Sequence, residues 1–481
     1  MLQLGSFAYG EVALAAIVIP LAGILFLKRQ RLLCQRFGYM TPGAMFADYY
    51  QGELIRLLTV LIALVFAIPF VGLGCLAYAQ LGGFGACNAA LARLGAPGSA
   101  AANLFEIPGV VQFTEGLGKQ APAGGLWTTS MILTCSFALM GLQASPSFSM
   151  LGFSCRDTRG IAAQQVWATG AIVGLVLLFF ATAYGLGGLA PGNAVPVDPT
   201  TAAIQSVAPR QPWLSALLAI CIIAAVQMAA AAYVSTTATM VTLDVYKRFF
   251  RPAADDRAQR RIARAAMALI FIVALLMATS TLMAQIRLGG LALAFALQLW
   301  PVLAGVRWLP WVSRPAATAG LCVGLVAVLL TEPVGAAVAQ FLGFDLPWRR
   351  WPWTIHSAGW GIFFNVLTCA VVSLATCGGA VRHHRDGFHR YLHARAGLPA
   401  SKQVMQPAVW ALILGWMFFA IGPGAVLGND LFGAPGAGIA AWKLGIPSLW
   451  AWQIIWWALG VFVIWWLAYK MEFATAPRNA A

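Results

Sequence analysis

WAWQIIWWALGVFVIWWLAYK, residues 450–470, runs for 20 residues without a charged side chain before it meets Lys470. A helix needs about 20 apolar residues to cross the hydrocarbon core of a bilayer. Tryptophan at both ends of the stretch matches the aromatic belts of a membrane–water interface. The rest of the chain repeats this theme. Hydrophobic residues make up 60% of its 481 residues and charged residues only 9%, against roughly 25% charged in a soluble domain. Such a chain cannot cover a water-facing surface. That excludes a soluble enzyme, a disordered chain, a coiled coil and a nucleic-acid-binding protein.

The expected fold class is an all-α polytopic membrane protein. Apolar runs bounded by charge, Gly or Pro place about 11 transmembrane helices at 7–27, 54–80, 127–153, 165–190, 213–243, 264–284, 289–306, 315–338, 356–377, 407–427 and 449–469. Lipid offers no partner to a free backbone group, so helices are the expected spanning element. The ten-residue alternation of a membrane barrel is absent. The stretch WRRWPWTIHSAGW (348–360) adds interfacial tryptophans, and residues 81–126 read as a long outer loop.

The net charge of +15 reads as topology. With the N-terminus outside, only Arg93, Lys119, Arg210, Arg287, Arg349, Arg350 and Lys443 fall in outer segments, and the other 23 of the 30 Lys and Arg fall inside. Basic residues collect in cytoplasmic loops, which gives N-terminus outside and C-terminus cytoplasmic. MLQLGSFAYGE has no basic region ahead of its apolar run, so no cleaved signal peptide is expected. The nine cysteines contain no C-x-x-C pair, and only Cys87 lies in a loop placed outside, so no disulfide framework is expected.

Polar groups inside spans carry the functional signal, because each is costly in lipid. In AAAAYVSTTATMVTLDVYKRF (229–249), Ala232, Ser235 and Thr236 stand at i, i+3 and i+4 on one helical face. Two hydroxyls and a carbonyl there suit a small hard cation. The alternative is packing, with each hydroxyl bonded back to the preceding turn. In FALMGLQASPSFSMLGF (137–153), Pro146 predicts a break, beside Gln143 and Ser145. In GGLALAFALQLWPVLAG (289–305), Gln298 stands beside Trp300 and Pro301, with core packing as the alternative. Glu332 lies late in its span and is expected to reach water at the outer end. His389 and His393, in RHHRDGFHRYLHAR (382–395), are expected on a solvated basic surface helix. No nucleophile–base set or phosphate loop occurs, so no enzyme chemistry, no cofactor and no metal beyond Na⁺ is expected.

Several of these stretches together resemble the sodium:solute symporter family. The run Ala232-x-x-Ser235-Thr236, followed by LDVYKRFFRPAADD and RRIAR, is similar to that family's sodium motif and exit segment. RFGYMTPGAMFADYYQGELIRLL (36–58) is similar to its entry into the third core helix. LMGLQASPSFSMLGFSCRDTRGIAAQQVW (139–167) is similar to its sixth core helix and the loop beyond. The resemblance implies a leucine-transporter-like core of two inverted five-helix repeats and Na⁺-coupled uptake of a small organic solute. By position, Ala232 through its carbonyl, Ser235 and Thr236 stand for half of the Na⁺ site. Gln143, Ser145, Gln298 and Trp300 stand near the solute.

Two departures accompany the resemblance. Met1 falls near the end of the family's first core helix, whose unwound part supplies the other half of the Na⁺ site. FAIPFVGLGCLAYAQLGGFG (66–85) reads as the third core helix joined to the end of the fifth. The inverted-repeat fold is therefore expected to be partial, lacking the N-terminal helix, most of the first core helix and core helices four and five. The reading is one domain over 1–481, core-like over 1–306 with additional helices over 307–481, in a bacterial inner membrane. Its partners are a small organic solute, Na⁺ and the lipid bilayer, with no nucleic acid. The rival is a truncated, non-transporting remnant acting as a membrane scaffold or sensor.

Overall fold

The computed structural model describes residues 7–72, 106–107, 109–111, 128–154, 159–175, 177, 227, 230–278, 282–344, 346–348, 350–376, 380–435 and 438–475. Most of the outer loop at 81–126, the junction at 73–85, and the parts 178–190 and 213–226 of two expected spans lie outside the described residues.

The described residues are mostly helical, with no strand among them. In chain order the helices are α1 (Phe7–Phe37), α2 (Pro42–Tyr50), α3 (Glu53–Gly72), α4 (Thr129–Ala144) and α5 (Pro146–Ser154). Helix α6 (Arg159–Ala163) runs on into a π-helical stretch, Gln164–Val173. Helix α7 (230–240) continues in the same way over Val241–Phe250. Then come α8 (Asp256–Ala278), α9 (Leu282–Leu297), α10 (Trp300–Arg307), α11 (Arg314–Leu330), α12 (Pro333–Phe341), α13 (Ser357–Ala375), α14 (Ala380–Ala396), α15 (Gln406–Ala420) and α16 (Ser448–Trp465).

Every expected span holds helix among its described residues. Among the described residues, four stretches, rather than the expected eleven, are long and apolar enough to cross a membrane: Gly290–Arg307, Ser357–Ala375, Ala400–Ala420 and Ser448–Lys470. The bent pair α11 and α12, 88° apart, makes a fifth if it counts as one span.

Helices α1 and α9 lie at the centre. Helix α1 is buried almost without interruption from Leu14 to Leu33, and the end of α9 from Ala294 to Leu297 likewise. Helices α13 and α15 bury one face and expose Phe363, Leu367, Val371 and Leu374, or Trp410, Leu414 and Phe418. Lipid tails are as apolar as these side chains, so close packing must hold the helices together, and small residues permit it. Helix α11 meets α13 through Gly320-x-x-x-Gly324, where an added Cβ would come within 2.3 Å of Cys369 Sγ or 2.9 Å of Asn365 Cβ. Helix α4 meets α9 at Gly141, whose added Cβ would lie 2.4 Å from the Leu293 carbonyl oxygen.

Three readings are corrected. The first span does not end at 27: α1 continues past Lys28, Arg29 and Arg31 to Phe37, and Lys28 and Arg29 are buried. Glu332 does not reach water. It accepts from Arg350 Nε at 3.1 Å, Trp351 Nε1 at 3.0 Å and Ser357 Oγ at 2.8 Å, and is 4% exposed. Sited at the α11–α12 bend, it clamps that corner. Helix α14 is not wholly solvated. Arg385, Phe388, His389 and Leu392 recur at i, i+3, i+4 and i+7 and are buried, because this stripe packs on α1, α2 and α10.

Candidate functional site

Two broken helices meet in the interior. The first break follows from Pro146, which has no N–H and disfavours helical backbone at the residue before it. Helix α4 ends at Ala144, Ser145 turns to φ −59°, ψ 148°, and α5 starts at Pro146. The Ser145 N–H and hydroxyl both donate to the Leu142 carbonyl, at 3.2 and 2.7 Å. Gln143 and Ser145 are buried. Gln143 Nε2 reaches Gln165 Oε1 at 3.5 Å, while Gln143 Oε1 is buried without a donor among the described residues. Both amides crowd Gly23 on α1: an added Cβ there would meet Gln165 Oε1 at 2.3 Å and Gln143 Oε1 at 3.2 Å.

The second break lies at Gln298 and Leu299, between α9 and α10, with Pro301 in the first turn of α10. The Gln298 N–H takes a tight bond to Phe295 O at 3.0 Å, and its side chain turns back to Ala294 O at 3.0 Å. Asn365 Nδ2 donates to Gln298 O at 2.9 Å and to Gln298 Oε1 at 3.2 Å. Gln298 and Asn365 are both 0% exposed. Trp300 joins the two breaks: its Nε1 donates to Met140 O on α4 at 3.3 Å, and its ring meets Phe26 edge-on at 4.5 Å. The four expected solute-site residues thus lie on two helix breaks packed together.

The expected cation ligands split between surface and interior. Ser235 is exposed and its hydroxyl donates to the Ala232 carbonyl at 3.1 Å, whereas Thr236 is buried. The neighbouring hydroxyls do the same: Thr237 donates to Tyr233 O, Thr239 to Ser235 O and Thr242 to Ala238 O, at 2.7–2.8 Å. The physical reason is local. Ser and Thr hydroxyls in a helix find a carbonyl one turn back, and this one occupies the oxygen assigned to the ion.

Asn365, Gln165 and Gly23 were not singled out from sequence. Asn365 alone carried a signal, as an amide inside an otherwise apolar span. Also missed was the anchor at the end of α7. Asp244 accepts from Thr41 Oγ1 at 2.8 Å and Arg56 Nη1 at 3.1 Å, and Glu53 joins Arg56 to Arg248 at 2.8 and 2.5 Å. Burial pushes the Asp244 carboxyl up to about 6, against the pull of Thr41 and Arg56. The LDVYK segment is thereby tied to the start of α2 and α3.

No protein-family model matches the chain, and no curated protein matches it at a significant level.

Proposed function

We propose that the chain is a secondary active transporter of the sodium:solute symporter type, carrying a small organic solute across the bacterial inner membrane. The observation that carries this reading is the pair of helix breaks at Ser145 and Gln298–Leu299. They are packed together, lined by buried amides, and include an unanswered acceptor at Gln143 Oε1. A break like that at Ser145 gives transporters unwound backbone to face a substrate, and the Gln298–Leu299 turn stays helical, tightened to i→i+3 bonds. An unanswered carboxamide oxygen suits a solute N–H or O–H. Gln143, Ser145, Gln298 and Trp300 then surround the solute within a partial leucine-transporter-like core of about eleven helices, N-terminus outside and C-terminus inside.

Na⁺ is the proposed coupling ion, at the Ala232 carbonyl, Ser235 and Thr236. Binding requires Ser235 to leave the Ala232 oxygen and turn inward. The exposed Ser235 favours the second reading, a non-transporting membrane scaffold or sensor.

The test is reconstitution into liposomes with an inward Na⁺ gradient or a K⁺ gradient, using labelled panels of amino acids, sugars and carboxylates. The expected result is Na⁺-driven accumulation of one class, lost in Gln143→Leu and made insensitive to Na⁺ in Ser235→Ala with Thr236→Ala. No accumulation of any class would favour the scaffold. Accumulation that persists in Gln143→Leu would remove the assigned solute site.

A further inference from the structure

Where α1, α10 and α14 meet, two guanidinium groups are buried together. Arg307, on α10, is 0% exposed, and Arg29, on α1, is 5% exposed. Arg29 donates to Arg307 O at 2.7 Å and to Ala396 O at 3.4 Å, and its guanidinium lies 3.5 Å over the Trp308 ring. Arg307 Nη2 donates to Gln30 Oε1 at 2.5 Å, and its guanidinium lies 5.0 Å from the Phe26 ring centre. None of the ion pairs among the described residues includes Arg29 or Arg307. Three donors of this cluster are buried without an acceptor among the described residues: Arg307 Nε, Arg307 Nη1 and the amide nitrogen of Gln30, which is 2% exposed.

An arginine stays protonated in a protein, so Arg307 cannot lose its charge to suit its surroundings. A buried charge without a counter-charge is strongly unfavourable, and a buried donor left unanswered adds to that. Everything left over at this place is a donor or a positive charge. The missing complement is an anion with several lone pairs. Gln30 and Arg307 already bond each other, and the Phe26 and Trp308 rings close the guanidinium faces, so the complement must be small.

We propose that Arg307, Gln30 and Arg29 form a binding site for a single halide-sized anion, chloride in practice, which locks α10 against α1. The site is separate from the solute and Na⁺ residues, so it stands whether or not the chain transports.

The experiment measures the thermal unfolding midpoint of the purified full chain in detergent, at constant sodium and ionic strength, with chloride replacing gluconate. A ligand that binds only the folded state raises stability by RT ln(1 + [L]/Kd), which starts near the dissociation constant and then grows with the logarithm of concentration. The expected result is a logarithmic rise with chloride and with bromide, and none with gluconate. Arg307→Met should lose the rise, but it also removes the bond to Gln30 that ties α10 to α1. Gln30→Glu is therefore the decisive variant. Its carboxylate supplies Arg307 with a built-in anion, so it should unfold in gluconate later than wild type in gluconate, and ignore added chloride. Arg260→Gln, on an exposed side chain, should keep the wild-type response. A wild type indifferent to chloride, or a Gln30→Glu chain with a full chloride response, would overturn the proposal.

Discussion

The side-chain amides of Gln143 and Gln165 face each other at 3.5 Å across the backbone of Gly23. Two amides from different helices can approach α1 this closely only because residue 23 has no side chain. Gly23→Ala would place a methyl carbon 2.3 Å from Gln165 Oε1. Overpacking of this kind costs about 1–3 kcal/mol. The thermal midpoint should fall, and solute uptake should fall with it. Gly415→Ala, whose added Cβ meets nothing within 4 Å, is the control and should be neutral or slightly stabilising.

Helix type and the site of the first break were legible in the sequence, because both follow from rules that act within one or two turns. Pro146 forbids continuous helix whatever surrounds it. The second break repeats the spacing, Gln143-x-x-Pro146 and Gln298-x-x-Pro301, a parallel visible in the sequence and not used. What the sequence could not supply is the partner across the chain. Glu332 lies 18 residues from Arg350 and 25 from Ser357, and spacing alone cannot say that they meet. The same holds for Asn365 and Gln298. At Ser235 the spacing is ambiguous for a different reason: the i, i+3, i+4 pattern that suits an ion also suits a hydroxyl bonded to its own helix.

Asn365 should be the polar pin of the second break. Asn365→Leu strips the Gln298 backbone oxygen and side-chain oxygen of their donor. A buried acceptor left bare costs about 1–3 kcal/mol. The expected outcome is a lower unfolding midpoint. Asn365→Asp should be worse, since a carboxylate would face two acceptor oxygens. An unchanged midpoint in both variants would show that Gln298 does not depend on Asn365.

At the α11–α12 bend, Glu332→Gln should weaken the corner. The amide can accept from Trp351 and Ser357, but its nitrogen then confronts Arg350. Hydrogen bonds to charged groups contribute roughly 1.5–3 kcal/mol, which sets the expected loss. Arg350→Met should also destabilise, and the double variant should lose less than the two singles combined, because both remove one interaction. Strict additivity in unfolding measurements would argue against the pair.

Topology follows from the charge distribution and can be read with reporters. Fusions after Lys402 and after Lys470 should both report cytoplasm, since the bases of α14 and the C-terminal tail belong to the retained side. The contact of Lys402 Nζ with Glu472 Oε1, at 2.6 Å, already requires these two segments to share one side. A periplasmic signal from either fusion would reverse the proposed orientation.

His389 gives the chain a defined response to acid. Its Nε2 lies 2.6 Å from the Tyr49 hydroxyl, which donates to Gly305 O at 2.9 Å, so the ring N–H is left to donate to Tyr49. Burial pulls the imidazole down to about 4, and the positive charges of Arg29 and His393 add to the shift, while Gly305 and Asp386 oppose it. An unfolded histidine titrates near 6.5. Above that value the ring is neutral in both states, and its packing contributes fully. Between about 6.5 and 4 the unfolded chain takes up a proton that the folded chain refuses, so stability falls as pH falls, by up to roughly 1.4 kcal/mol per pH unit. Below 4 both states are protonated and this contribution levels off. His389→Gln should flatten the unfolding midpoint across that window, whereas His383→Gln, on an exposed side chain, should leave the wild-type slope. An equal slope in wild type and His389→Gln would place the acid sensitivity elsewhere, with Asp244 excluded because its raised carboxyl value acts in the opposite direction, favouring the folded state as pH falls through about 6.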